Sequence, residues 1–263
     1  MSDFLLIHDL GHGAWSWARV WGLLDGDESG KVGRILTVDL PGHGTRRDTP
    51  IDKVTFDACV EAVLQDTQAE GLRSPIVVGH GFGALVALGV AAKLQPAPER
   101  LVLVAGGVPE NGHSFAEGLT LRAQLGLSGI GFFRTRPTLN MGKGAARFLL
   151  TNDTTFPVAA GRVLGFLGPF PRALLYHRFT MPQLTPPLPI TYVALTNDQF
   201  VDARQQERAV TRLPGKVQVV AVDAGHEAPV LAPERIHPHL VEHATPSRRQ
   251  GLRLVSQYKL GPT

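Results

Sequence analysis

Residues 76–83 read I-V-V-G-H-G-F-G, a short β-branched run, a glycine-punctuated turn, and then the small-residue stretch 84–92. That order predicts a strand, a sharp turn and a helix. It is the layout of a nucleophile elbow, G-x-S-x-G, whose flanking glycines let strand and helix approach closely while the central residue takes an unusual backbone conformation. Here the flanking glycines are Gly79 and Gly83, and the central residue is Gly81, which has no side chain. An elbow of this kind keeps its scaffold and cannot form an acyl-enzyme at that residue. A plainer reading is also open: glycine tolerates the turn and removes about 1 to 3 kcal/mol of local strain, which suits a protein that only binds.

Working outward, apolar runs over 4–7, 35–38, 76–78, 101–104, 190–195 and 217–222 read as strands, and most are continuously apolar, as in a parallel sheet covered on both faces. Helical patterns fall over 15–24, 55–70, 84–94, 202–212 and 233–242. The alternation predicts a doubly wound, mostly parallel α/β fold. Between 107 and 188 the rhythm breaks into Pro, Gly and two apolar clusters, one with Leu125, Leu127, Ile130, Phe132 and Phe133, the other with Leu164, Phe166, Leu167, Phe170, Leu174 and Leu175. Such an insertion after a central strand reads as a helical cap over the carboxyl ends of the sheet, where open α/β folds place their sites. The expected division is a core of 1–106 and 189–244, a cap of 107–188, and a tail of 245–263.

With 263 residues, 43% hydrophobic and 19% charged, the chain is long enough for one large domain. Its net charge of +3 is localised: Arg248, Arg249, Arg253 and Lys259 in the tail exceed it, so the remainder is slightly acidic. A nucleic-acid partner is therefore not expected. No apolar stretch reaches bilayer length, and the N-terminal F-L-L-I is too short for a signal peptide, so neither membrane insertion nor export is expected. Cys59 is the single cysteine and reads as a buried thiol in a cytoplasmic protein. Trp15, Trp17 and Trp21 read as core. His237, His239 and His243 have a spacing that invites a metal reading, which is not adopted; no metal or cofactor is expected. The expected partner is a small apolar substrate, and a homodimer stays open.

Three further segments carry candidate chemistry. Residues 4–17, F-L-L-I-H-D-L-G-H-G-A-W-S-W, read as a strand ending at His8 and a glycine-rich loop, so that the Leu10 N–H, with the N–H of Phe82 after the elbow, would form an oxyanion hole. Residues 190–198, I-T-Y-V-A-L-T-N-D, place Asp198 just beyond a strand, and V-V-A-V-D-A-G-H-E places His226 just beyond another. Elbow, acid, histidine is the chain order of a triad. His226 reads as a proton-transfer group oriented by Asp198, the alternatives being a relic histidine and an Asp that merely caps its loop. Asp9 reads either as a second acid–base group or as a turn residue bonding its own loop. His12 reads as part of the loop's structure and His80 as a flank of the elbow.

Taken in order, H-D-L-G-H-G-A-W-S-W, V-D-L-P-G-H-G at 38–44, the elbow, G-V-P-E-N-G-H-S, T-N-D and D-A-G-H resemble the α/β-hydrolase-fold superfamily, and within it the plant methylesterase and hydroxynitrile lyase group and its bacterial relatives. The likeness covers all but the tail. It implies an α/β-hydrolase fold with a cap, and a serine where this chain has Gly81. It also implies glycine at position 9 in most esterases of the group; in the hydroxynitrile lyases that position carries a small polar side chain reaching the substrate hydroxyl. A carboxylate at Asp9 would then project toward the space the serine vacated. Losing such a nucleophile costs on the order of a million-fold in turnover. The expected function is therefore non-covalent acid–base chemistry by His226, Asp198 and Asp9 on a small apolar carbonyl compound: elimination, carbon–carbon lysis, isomerisation or cyclisation. Two alternatives stand beside it: an esterase or lactonase using water activated by His226, and a non-catalytic ligand-binding protein.

Overall fold

The computed structural model describes residues 1–128, 136–141, 146, 150 and 157–245. Expectations for Ile130, Phe132, Phe133 and nearly all of the basic tail fall outside the described residues. Six strands, β1 (Ser2–Ile7), β2 (Val32–Val38), β3 (Ile76–His80), β4 (Arg100–Val104), a fifth at Ile190–Leu195 and a sixth at Val217–Val222, form one parallel sheet. Its order places β2 and β1 at one side, β3 and β4 in the middle and the last two strands at the other edge. This is the α/β-hydrolase fold, with helices flanking the sheet.

The strands' alternation builds two separate cores. Phe4, Leu6, Ile76, Val78, Val102 and Val104 face one side, where Trp17, helix α1 (Ala18–Asp25) and the C-terminal helix Pro233–Val241 cover them through Val20, Leu24, Ile236 and Leu240. Leu5, Ile7, Val77, Leu101 and Leu103 face the other, under helices α2 (Phe56–Ala69) and α3 (Gly83–Lys93). Continuous apolar runs are thus what a doubly covered sheet requires. The last strand departs from that pattern: Val219 is 52% exposed, because this strand lies at the sheet edge with one flank uncovered. Trp17 belongs to the core, but Trp15, in the 3-10 turn before α1, and Trp21, within α1, are only half-buried.

The insertion between β4 and Ile190 holds a 3-10 turn at Phe115–Gly118, helices Leu121–Ser128, Pro157–Phe166 and Arg172–Leu175, and a two-residue antiparallel pairing of Thr138–Leu139 with Phe170–Pro171. Phe115 meets Phe82 edge-on at 5.6 Å between ring centroids, and Phe179 meets Phe56 at 5.8 Å, so much of its apolar surface packs the insertion onto the core. The Gly168 N–H donates to the Gly11 carbonyl at 2.8 Å, fastening the insertion to the loop after β1. No described helix is long and apolar enough to cross a membrane.

Candidate functional site

The candidate residues meet at the carboxyl end of the sheet, around the β1–β3 pair where the strand order reverses. Four loops contribute: the one after β1 with Asp9, the turn after β3 with Gly81, and the loops after the last two strands with Asp198 and His226. The turn depends on glycine in two ways. At φ +54°, Gly81 sits in the left-handed region that side chains disfavour. A Cβ on Gly83 would come within 2.5 Å of the carbonyls of Ile7 and His8, so β1 and α3 pack this closely only because that residue has none.

A Cβ on Gly81 would collide with the Asp9 carboxylate, whose carbon and both oxygens already fill that space. Asp9 Oδ1 accepts the Phe82 N–H at 2.6 Å, and Oδ2 accepts from His226 Nε2 at 3.0 Å. Neither carboxylate contact is to its own loop. Of the two amides expected to form an oxyanion hole, Phe82 therefore already holds a carboxylate supplied by the protein, while Leu10 follows Asp9 on the same loop.

Asp198 divides its two oxygens between the two roles anticipated for it. Oδ2 accepts from His226 Nδ1 at 2.7 Å, and Oδ1 accepts the N–H groups of Phe200 at 2.7 Å and Val201 at 2.9 Å. It thus shapes its own loop and orients the ring. Phe200 lies 4.8 Å from the His226 ring and closes that side. On the other side His80, 4.7 Å from His226 between centroids, donates Nε2–H to the His226 main-chain carbonyl at 2.9 Å.

Asp9, Asp198 and His226 are all buried, with 2%, 2% and 0% of their surface exposed. Both His226 nitrogens face carboxylate oxygens, which accept and do not donate, so the ring is an imidazolium. Burial pulls its pKa down, but the Asp198 charge and the hydrogen bonds to Asp198 and Asp9 outweigh burial and hold it well above the ordinary value. Burial likewise pushes the Asp9 carboxyl up, and the hydrogen bond and charge of His226 overcome this and hold it well below the usual range. The resting site is carboxylate, imidazolium, carboxylate. His226 is thus poised to give a proton, and becomes a base only after losing one.

Sequence reading missed a second buried pair. His12, expected to be merely structural, places Nε2 2.9 and 3.0 Å from the two oxygens of Glu227, the residue directly after His226. The available signal was a glutamate embedded in the apolar segment A-G-H-E-A-P-V. A cavity of about 340 Å³ opens between Ser114, Ala116, Glu117, Gln124, Tyr176 and Arg178. Its lining is more polar than the expected apolar pocket, and none of Asp9, Asp198 and His226 borders it. Of the C-terminal histidines, His237 pairs with Asp27 at 3.5 Å and His243 with Glu242 at 3.8 Å. Among the described residues no group of three or more His, Cys, Asp or Glu side chains is arranged to hold a metal ion.

Residues 4–238 match the model of the alpha/beta hydrolase family. A carbendazim hydrolyzing esterase from a Nocardioides strain is 35% identical over 115 residues, which is 43% of this chain and 46% of that protein, so the chain aligns with less than half of the relative's length. Among solved structures, an extracellular alpha/beta-hydrolase from a Paenibacillus species, described as sharing structural and functional homology with tobacco salicylic acid binding protein 2, superposes with a TM-score of 0.78 at 18% identity, covering 93% of this chain and 99% of that one. A methylesterase from Arabidopsis gives 0.72 at 18% identity, covering 92% and 98%, and polyneuridine aldehyde esterase gives 0.74 at 17%, covering 92% and 98%. At such identities the likeness is one of fold.

Proposed function

The chain belongs to the alpha/beta hydrolase family, and within it we propose that it is an enzyme working without a serine nucleophile, by acid–base chemistry on a small apolar carbonyl compound. The observation that carries this is the Asp9 carboxylate bridging the Phe82 N–H and His226 in the space above Gly81. In this reading a substrate oxygen displaces Asp9 Oδ1 from the Phe82 N–H. Negative charge developing on that oxygen is then stabilised by the Phe82 and Leu10 amides. Asp9, released from the amide, takes a proton from the substrate carbon or hydroxyl, and His226 returns one from Nε2 to the oxygen or leaving group. Asp198 keeps the ring oriented and its charge compensated. Elimination, carbon–carbon lysis, isomerisation and cyclisation all need these two transfers and no ester to the enzyme. A low carboxyl pKa makes Asp9 a weak base at rest; breaking its bonds to Phe82 and His226 is what would raise its basicity.

A second reading, hydrolysis of an ester or lactone by directly activated water, is supported by the names of the relatives, several of which are esterases. There His226 first passes its Nε2 proton to the Asp9 carboxylate and then takes one from the water as the hydroxide adds to the carbonyl.

The test is turnover of a panel of small apolar ketones, hydroxyketones, esters and lactones in deuterated water by the wild type, Asp9→Asn and His226→Gln. The acid–base reading expects solvent deuterium at substrate carbon and a loss of about 10²- to 10⁴-fold in both variants. Conversion confined to esters or lactones, with no exchange at carbon, favours the hydrolytic reading. Turnover untouched by either substitution defeats both.

A further inference from the structure

Asp9 and His226 lie on different loops, yet their contact is held at 3.0 Å. The second buried pair is built where it would hold them. His12 belongs to the Asp9 loop and Glu227 to the His226 loop, and their side chains are 1% and 0% exposed. His12 Nε2 donates to Glu227, and Nδ1 donates to the Leu10 carbonyl at 2.9 Å. With an acceptor opposite each nitrogen, this ring too is an imidazolium. Burial alone would lower its pKa, but the Glu227 charge and hydrogen bond raise it instead, and the same pairing holds the Glu227 carboxyl low against its own burial.

The main chain between the two pairs is pinned as well. The Asp9 carbonyl accepts two hydrogen bonds, from His8 Nδ1–H at 2.7 Å and from the His12 backbone N–H at 3.2 Å. His8 Nε2 accepts the Leu40 N–H at 3.1 Å, which fixes the proton on Nδ1. A trans peptide so clamped at its carbonyl has its N–H, that of Leu10, directed to the opposite side. On its outer face the His12 ring stacks on Trp15, with centroids 5.5 Å apart and planes 19° apart, and Trp15 meets Phe166 of the insertion at 5.4 Å.

We propose that His12 and Glu227 are positioning residues, a buried ionic tie that locks the Asp9 loop to the His226 loop so that the Asp9 carboxylate alone moves when a substrate oxygen takes the Phe82 N–H. The proposal rests on the reading of Asp9 and His226 as the proton-handling pair. Stability by itself gives little reason for such a tie. Buried ion pairs cost heavily in desolvation, and well-packed apolar residues of similar volume often serve folding equally well. What an apolar pair lacks is direction: the imidazolium bonds Glu227 on one side and the Leu10 carbonyl on the other, and so sets the distance between two catalytic loops.

The experiment follows the ring N–H protons of His226 by ¹H–¹⁵N NMR in the full-length protein, together with kcat and KM for whichever panel substrate turns over. In Glu227→Leu the His226 Nε2–H signal, opposite Asp9, is expected to shift or broaden while the Nδ1–H signal, opposite Asp198, stays in place. kcat is expected to fall about 10- to 100-fold with KM little changed, as for a displacement of about an ångström at the reacting groups. Glu227→Gln, whose amide oxygen still accepts from His12, is expected to recover most of kcat and to move the signal less. If the leucine variant does not fold, the glutamine variant carries the test by its smaller movement. An unmoved Nε2–H signal in a folded variant overturns the proposal. A wild-type protein that shows the signal and its dependence on Glu227 but converts no carbonyl substrate refutes the functional reading and leaves the tie standing.

Discussion

Five histidines are buried at the same end of the sheet to nearly the same depth, His8, His12, His43, His80 and His226, each with 3% or less of its surface exposed, yet they divide into two kinds. His12 and His226 have an acceptor opposite each ring nitrogen and are held charged. His8, His43 and His80 have at most one acceptor, a main-chain carbonyl, and are held neutral. Burial dominates in these three, aided at His80 by the charge of His226, and lowers their pKa values to about 3, 4 and 3. Depth therefore does not set the charge of a histidine in a dry site; the partners opposite its nitrogens do. The neutral three clamp main chain, and the charged two tie loops together. The site thereby separates neutral main-chain clamps from charged, loop-bridging groups using a single residue type.

The strongest way to break this division is to strip His226 of the partner that defines its class. Asp198→Ala leaves the ring with Asp9 alone, and leaves the Phe200 and Val201 N–H groups without their acceptor. Removing one member of a buried ion pair typically costs about 3 to 5 kcal/mol, and a loss of that size is expected in urea denaturation at pH 7. A loss below about 1 kcal/mol would mean that His226 is neutral and belongs with His8 and His80.

Acid sharpens the same comparison, because the two classes respond oppositely. For the neutral histidines the unfolded chain binds protons below about pH 6.5 while the folded chain stays unprotonated until about pH 3 to 4, so stability falls as pH falls through that window. From pH 7 to pH 5 each is expected to remove about 2 kcal/mol. His12 and His226, raised instead, give stability that is complete below the unfolded value and is lost as pH climbs through their folded values. They recover a smaller part of it, so stability still falls on balance between pH 7 and pH 5. Asp9, Asp39 and Glu227, all lowered, add their losses only nearer pH 4 and below, so pH 5 isolates the histidines. Urea midpoints at the two pH values measure the fall, and His80→Phe should remove about 2 kcal/mol of it. A flat profile would overturn the neutral assignment.

How much of this was legible beforehand depended on whether the information was local. All six strands of the main sheet could be read from their apolar runs, since a doubly covered strand leaves a continuous signature within five or six residues. The edge strand Val217–Val222 carries the same signature and is half exposed, because only the sheet order, a property of the whole chain, decides which strand lacks a neighbour. In the insertion the short helices were unreadable, their apolar residues being spent on contacts such as Phe115 on Phe82 rather than on a clear period. Asp9, Asp198 and His226 stood out because each follows a strand at the end where sites form. His12 and Glu227 did not, because a pairing across 215 positions has no local mark. The charge of His226 was equally hidden: it follows from Asp9 and Asp198 both reaching the ring, which no spacing states.

The smallest expected effect tests whether Asp9 owns the space above Gly81. Gly81→Ser places a Cβ at φ +54° and onto the Asp9 carboxylate, so it should destabilise by about 1 to 3 kcal/mol from strain alone, with the collision added. Asp9→Gly clears that space, at the cost of an uncompensated His226 contact. If the two residues compete for one position, their effects will not add: in the double variant the serine should cost less than it does beside Asp9, with a coupling of about 0.5 to 3 kcal/mol in a double-mutant cycle. Only the double variant frees the Phe82 N–H for a substrate oxygen while presenting a hydroxyl near His226, so cleavage of simple aryl esters should appear in it and in neither single variant. Additive stabilities, or ester cleavage by Gly81→Ser with Asp9 intact, would show that the carboxylate lies elsewhere, and the division between charged and neutral histidines would then have to be drawn without it.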